Sequence, residues 1–124
     1  PLYHQAVHFG ELKDGLIRGS RFDKTVEREF ASFLSDKKDE DIINLCKSLG
    51  GEIIKSKFDL SVVFYLFPNY PVTLNIWFAD DEFGAVGSML VDKSADNYLT
   101  IEDDVVAGEF MLRYIFERYN ELYM

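Results

Sequence analysis

The residues best suited to chemistry in this sequence are its acids. Asp80, Asp81 and Glu82 stand together, and Asp92, Glu102, Asp103 and Asp104 follow close behind. Hard divalent cations need several carboxylate oxygens converging on one point. The spacing here lacks the alternating Asp ladder and central glycine of a calcium loop. Two carboxylates at short range could instead share a proton as an acid–base pair, but nothing in the sequence sets such a pair at a useful separation. The plainer expectation is that these acids form a turn and complement a helix N-terminus. On that expectation Asp80 and Asp92 lie at opposite ends of adjacent strands, and no metal site forms. A divalent-cation-dependent enzyme using Asp80-Asp81-Glu82 is the alternative function.

Other reactive side chains are sparse. His4 and His8 are four apart, which on a helix would let them share a metal. The alternation of Val7 and Phe9 around His8 favours a strand, where the two are too far apart. Cys46 is the single cysteine, so no disulfide can form within the chain. It falls on an apolar helix face, where a small core residue is expected rather than a nucleophile. No phosphate-binding glycine loop, nucleophile elbow or zinc-helix motif occurs, and no cofactor is implied.

These side chains must be positioned by regular elements, and two periods locate them. Phe22, Val26, Phe30, Phe33 and Leu34 have helical spacing, with Asp23 as the expected N-terminal cap. Ile42, Leu45, Cys46 and Leu49 mark a second helix over about residues 39–49, closed by Gly50-Gly51. The period then changes to two. Phe58, Leu60, Val62, Phe64 and Leu66 alternate with Asp59, Ser61, Val63, Tyr65 and Phe67, and Pro68-Asn69-Tyr70-Pro71 interrupts the run. Val72, Leu74, Ile76 and Phe78 resume it against Thr73, Asn75 and Trp77. These two runs predict an antiparallel hairpin with Phe64 and Ile76 buried and Asp59 and Asn75 opposite them. A third strand is expected through Met89–Val91, then a short helical turn over residues 94–97. Thr100 should cap a long helix reaching about Leu122, with Val105, Val106, Phe110, Leu112, Ile115, Phe116 and Tyr119 as its apolar band. The fold class that follows is α+β, with an antiparallel meander of three or more strands packed with two N-terminal helices and one long C-terminal helix.

Three stretches resemble a known family: Asp59 to Pro71; Trp-Phe-Ala-Asp-Asp-Glu-Phe from Trp77 to Phe83; and Leu90 to Asp103, with Asp92, Ser94, Ala95, Tyr98, Leu99, Glu102 and Asp103. Together, over about residues 58–103, they are similar to an uncharacterised bacterial and archaeal family of domains of unknown function, DUF3786. Phe58 and Asn69 depart from its pattern, where glycine and arginine are more usual. The family has no established activity, so the resemblance implies a fold unit and not a reaction.

Bulk properties limit the partners. The 124 residues suit one domain, and the start at Pro1 leads us to expect the C-terminal part of a longer chain. Lys and Arg total 13 against 22 acids, for a net charge of -9. That balance argues against nucleic acid, whose phosphates demand cations, and against an anionic membrane surface. One cysteine and the lack of a signal segment point to the cytoplasm. Aromatic residues are 15% of the chain, a content that suits a pocket or an interface. The hairpin's second face, with Tyr65, Asn75 and Trp77, is therefore the candidate binding surface for a small molecule or a protein. The leading expectation is a non-catalytic binding or accessory module, and a homodimer through that surface is a further one.

Overall fold

The computed structural model describes all of residues 1–124. The chain runs β1 (Ala6–Val7), a 3-10 turn at Phe9–Glu11, α1 (Arg18–Leu34), α2 (Asp39–Ser48), β2 (Glu52–Ile54), β3 (Leu60–Phe67), β4 (Tyr70–Trp77), β5 (Val86–Asp92), a second 3-10 turn at Lys93–Asn97, and α3 (Ile101–Tyr123). The strands form one antiparallel sheet in the order β1-β5-β4-β3-β2. The architecture is the expected α+β meander with two N-terminal helices and a long C-terminal one, widened by a strand at each edge. No helix is long and apolar enough to cross a membrane.

Period-two alternation gives the sheet one buried face. Leu60, Val62 and Phe64 of β3, Tyr70, Val72, Leu74 and Ile76 of β4, and Met89 and Val91 of β5 are all buried. They share a core with Phe22, Val26 and Phe30 of α1 and Val105, Leu112 and Ile115 of α3. Aromatic rings join the two long helices. Phe116 lies 5.8 Å from Phe30 and 4.5 Å from Phe33 between centroids, and Tyr119 lies 5.4 Å from Phe33.

Cap chemistry ends the helices where the sequence indicates, with one exception. Gly50 adopts φ 78°, and the amides of Gly50 and Gly51 donate to Lys47 and Cys46 carbonyls, which closes α2 in a Schellman turn. The Thr100 hydroxyl accepts from the Asp103 amide at 3.3 Å and opens α3. The exception is α1, which starts at Arg18, so Asp23 is inside the helix and does not cap it. Its carboxylate accepts instead from the amides of Phe9 (3.0 Å) and Gly10 (2.9 Å), pinning the first 3-10 turn to the helix flank. Three further details differ from expectation. The strand at Val7 stops before Phe9, which the 3-10 turn carries into the core. Strand β2 is exposed along its whole length and has no apolar alternation to announce it; pairing with Ser61–Val63 creates it. Asp59 precedes β3 and lies in the loop before it, exposed.

One close approach fixes how α1 sits on the sheet. A Cβ added at Gly87 of β5 would stand 2.7 Å from Phe30 Cβ and 2.8 Å from Phe30 Cγ, whereas at Gly84 it would meet nothing within 4 Å. Phe30 therefore rests directly on the Gly87 backbone. We expect Gly87→Ala to cost about 1–3 kcal/mol, because α1 must lift to admit the methyl. Gly84→Ala should stay within about 0.5 kcal/mol of the parent. Urea denaturation of both variants measures this, and equal midpoints would refute the contact.

Candidate functional site

The helices pack on one face of the sheet, and the other face carries Val63, Thr73, Asn75, Ser88 and Leu90 half-buried, with Tyr65 and Trp77 exposed. Val63, Tyr65, Thr73, Asn75 and Trp77 are residues that alternation assigns to the second side of the hairpin, and Ser88 and Leu90 of β5 extend that face. The register separates them. Tyr65 pairs with Pro71, Asn75 with Ser61, and Trp77 lies beyond at the other end of β4. Six residues of strand put Tyr65 and Trp77 roughly 20 Å apart, so Tyr65, Asn75 and Trp77 do not line one pocket. Tyr65 borders an apolar groove of about 290 Å³ with Leu49, Phe64, Leu66, Met111 and Tyr114. That groove adjoins a second, of about 330 Å³, formed by Phe67, Val106 and Phe110.

Trp77 lines a different cavity, of about 450 Å³, with Asp59, Phe78, Asp80, Phe83, Gly84 and Val86. Two loops build it. The first is Lys55–Asp59, and Asn75 holds it from beneath. Ser61 Oγ donates to Asn75 Oδ1 at 2.7 Å, Ser56 Oγ lies 2.6 Å from Ser61 Oγ, and the Phe58 amide donates to Ser56 Oγ. This chain places the Phe58 ring 5.1 Å from the Trp77 ring. It also brings Asp59 to the end of β4, where its Oδ2 accepts from the Phe78 amide at 2.8 Å. Asn75 is thus a positioning residue that does not itself line the cavity.

The second loop is the acidic turn. Asp80 Oδ1 accepts from the amides of Glu82 (2.9 Å) and Phe83 (2.7 Å), and the Asp80 amide donates to the Phe83 carbonyl at 2.9 Å. The Phe83 amide, then the Glu82 amide, hold the Asp80 carboxyl below the usual carboxylate range. Asp80 is therefore an anion whose Oδ1 shapes the turn and whose Oδ2 is unused. Asp59 likewise spends one oxygen on the backbone. Neither acid joins an ion pair; those link Arg18 to Glu102 and Glu109, Lys37 to Asp36, Lys93 to Asp96, and Arg118 to Glu121.

The remaining candidates lie elsewhere. No three His, Cys, Asp or Glu side chains are grouped so as to hold a metal ion, and His4 and His8 are exposed on either side of β1. Asp92 sits at the far end of β5 from the acidic turn, where it accepts from the amides of Tyr3 (2.9 Å), Gln5 (3.0 Å) and Ser94 (3.1 Å) and from the Ser94 hydroxyl. Burial opposes its charge, but these donors outweigh burial and keep the carboxyl low. Cys46 is buried, and burial pushes its thiol up to about 12, so it has no thiolate to offer.

Sequence reasoning missed one pair. Asp104 reads as another acid of the first turn of α3, yet it is 0% exposed. The Tyr70 hydroxyl donates to its Oδ1 at 2.6 Å, and its Oδ2 has no partner. Both periods carried the signal. Asp104, Gly108, Met111, Leu112 and Ile115 are on the buried face of α3, and Tyr70 begins the buried set of β4. Burial raises the Asp104 carboxyl to about 6, the Asp96 and Asp103 charges add to this, and the Tyr70 bond opposes it. Burial, then Asp104, push the Tyr70 phenol upward, so it remains a donor.

The sign of the resulting pH dependence is fixed. The folded value lies above the unfolded 3.8, so the stability contributed by protonated Asp104 is complete below 3.8 and lost as pH rises through about 6. Asp104→Asn should therefore gain stability relative to the parent between pH 4 and pH 7, measured by urea melts across that range. A difference that stays constant with pH would refute the assignment.

A model of the family described as "Domain of unknown function (DUF3786)" matches residues 1–114. The chain belongs to that family, and the match extends well beyond the C-terminal half that carries the motifs. Comparisons with curated proteins and with solved structures give no match.

Proposed function

We propose that this DUF3786 domain is a non-catalytic binding module of the cytoplasm, with the Trp77 cavity as its ligand seat. One observation carries the reading. At the end of the helix-free face, a concavity of about 450 Å³ joins aromatic walls to two carboxylates, each with an oxygen left free by the protein. That size is within the range of small-ligand pockets, and apolar walls with a few placed polar groups are their usual make-up. The lining residues stack and accept hydrogen bonds, which is binding chemistry; they include no hydroxyl, thiol or imidazole. Asn75 supports the seat through Ser61 and Ser56, and Tyr65 belongs to the separate apolar groove. A cytoplasmic setting accords with the free thiol of Cys46.

Trp77 is the single tryptophan, so its indole reports on the cavity without background. In a fragment screen read by amide and indole NMR shifts, responding residues should cluster at Phe58, Asp59 and Trp77 to Val86. Trp77→Leu should remove the binding while leaving the thermal melt cooperative. A cluster centred on Val106, Phe110 and Tyr114 instead, or binding unchanged in Trp77→Leu, would overturn this assignment.

A further inference from the structure

We infer that the Trp77 cavity selects an organic cation on an apolar stem, of the kind presented by an arginine or lysine side chain. The inference rests on the reading of that cavity as the ligand seat, and it adds the chemical class.

Three features converge. The first is charge. Asp59 and Asp80 both line the cavity and neither has a cationic partner within the protein. Both are tied to one stretch of backbone, since Asp59 accepts from the amide of Phe78, two residues before Asp80. In a chain of net charge -9, the surrounding field also draws cations and repels anions. The second is the aromatic wall. An indole face is the best of the side-chain platforms for a cation, and a planar guanidinium can also stack on it. The neighbouring ring already attracts one: Lys57 Nζ stands 5.5 Å from the centroid of Phe58, which in turn packs on Trp77. The third is pre-organisation. On Asp59 and on Asp80, one oxygen is held by backbone amides, at 2.7–2.9 Å, which orients the carboxylate and leaves the other oxygen as an acceptor. A ligand therefore meets acceptors that are already placed, and the ordering cost of binding falls. The apolar walls of Phe78, Phe83 and Val86 then take the methylene stem.

The same chemistry could come from a free amino-acid derivative or from a side chain of a partner protein. Four probes resolve class and source: Nα-acetyl-arginine amide, its neutral isostere Nα-acetyl-citrulline amide, Nα-acetyl-glutamate amide, and the peptide Gly-Gly-Arg-Gly-Gly with blocked ends. Binding is followed at the Trp77 indole resonance and by tryptophan fluorescence. Asp59→Asn and Asp80→Asn keep the oxygen that accepts from the backbone, so the loops stay in place, and replace the free, charged acceptor by a neutral amide NH2; an unchanged melt confirms the fold.

The arginine amide should saturate the signal, weaken as salt is raised, and bind at least about tenfold more tightly than the citrulline amide, the scale of one charge-assisted hydrogen bond. The double variant should lose that margin, the arginine amide weakening more than the citrulline amide, which carries no charge to pair. Tighter binding of the peptide than of the free amide assigns the cation to a protein partner, and the reverse assigns it to a small molecule. Equal binding of the arginine and citrulline amides at Trp77, or preference for the glutamate amide, overturns the cationic class while the cavity stands as the seat. Absence of any response at Trp77 to all four probes overturns the cationic class, and fragments answering at the α3 groove instead of at Trp77 overturn the seat as well.

Discussion

The Trp77 cavity depends on the register of β3 against β4. Leu60 opposite Ile76 and Ser61 opposite Asn75 set which side chains face the helices and which face away. Strand side chains alternate strictly, so a slip of one residue would turn Val72, Leu74 and Ile76 outward and carry Asn75 and Trp77 into the core. The burial of that apolar set makes the register costly to change. The same register aligns Ser61 with Asn75, and from that contact the Lys55–Asp59 loop is hung. Core packing on one face of the sheet thus determines loop geometry on the other.

Part of the acidity of the chain has a structural explanation that is independent of any site. Asp23, Asp59, Asp80, Asp92 and Asp96 each accept from a main-chain amide outside the helix and strand ladders. Backbone amides at turns and crossings need acceptors, and a short carboxylate supplies one without adding bulk. Asp92 does this for the N-terminal segment, Asp23 for the first 3-10 turn, Asp96 for Lys13. At Asp59 and Asp80 the same device leaves a free oxygen beside aromatic rings.

Asp104 differs from these five aspartates, because it is buried against a phenol and not against amides. A buried carboxyl with one unused oxygen is held at a cost, and the cost depends on pH. It ties the first turn of α3 to the start of β4, and so joins the C-terminal helix to the hairpin whose far end forms the cavity.

The sequence by itself determined the elements and their faces. Periods of 3.6 and 2 located α1, α2, α3 and the β3–β4–β5 meander, since both are local consequences of side-chain geometry. Thr100 and Gly50 marked helix ends because caps are short-range chemistry. The motif stretches from Asp59 to Asp103 were enough to place the chain in its family. Tertiary structure decided what meets across the chain. Strand β2 exists because β3 offers it a partner. Asp23 turns from its own helix to the amides of Phe9 and Gly10 because Gly19 and Phe9 approach closely there. Alternation put Tyr65, Asn75 and Trp77 on one face, but a face is longer than a pocket, and only the strand register and the loop anchored at Ser56 show Trp77 meeting Asp59 and Asp80 while Tyr65 goes elsewhere. Such meetings depend on distances between residues remote in sequence, and local periodicity contains no information about them.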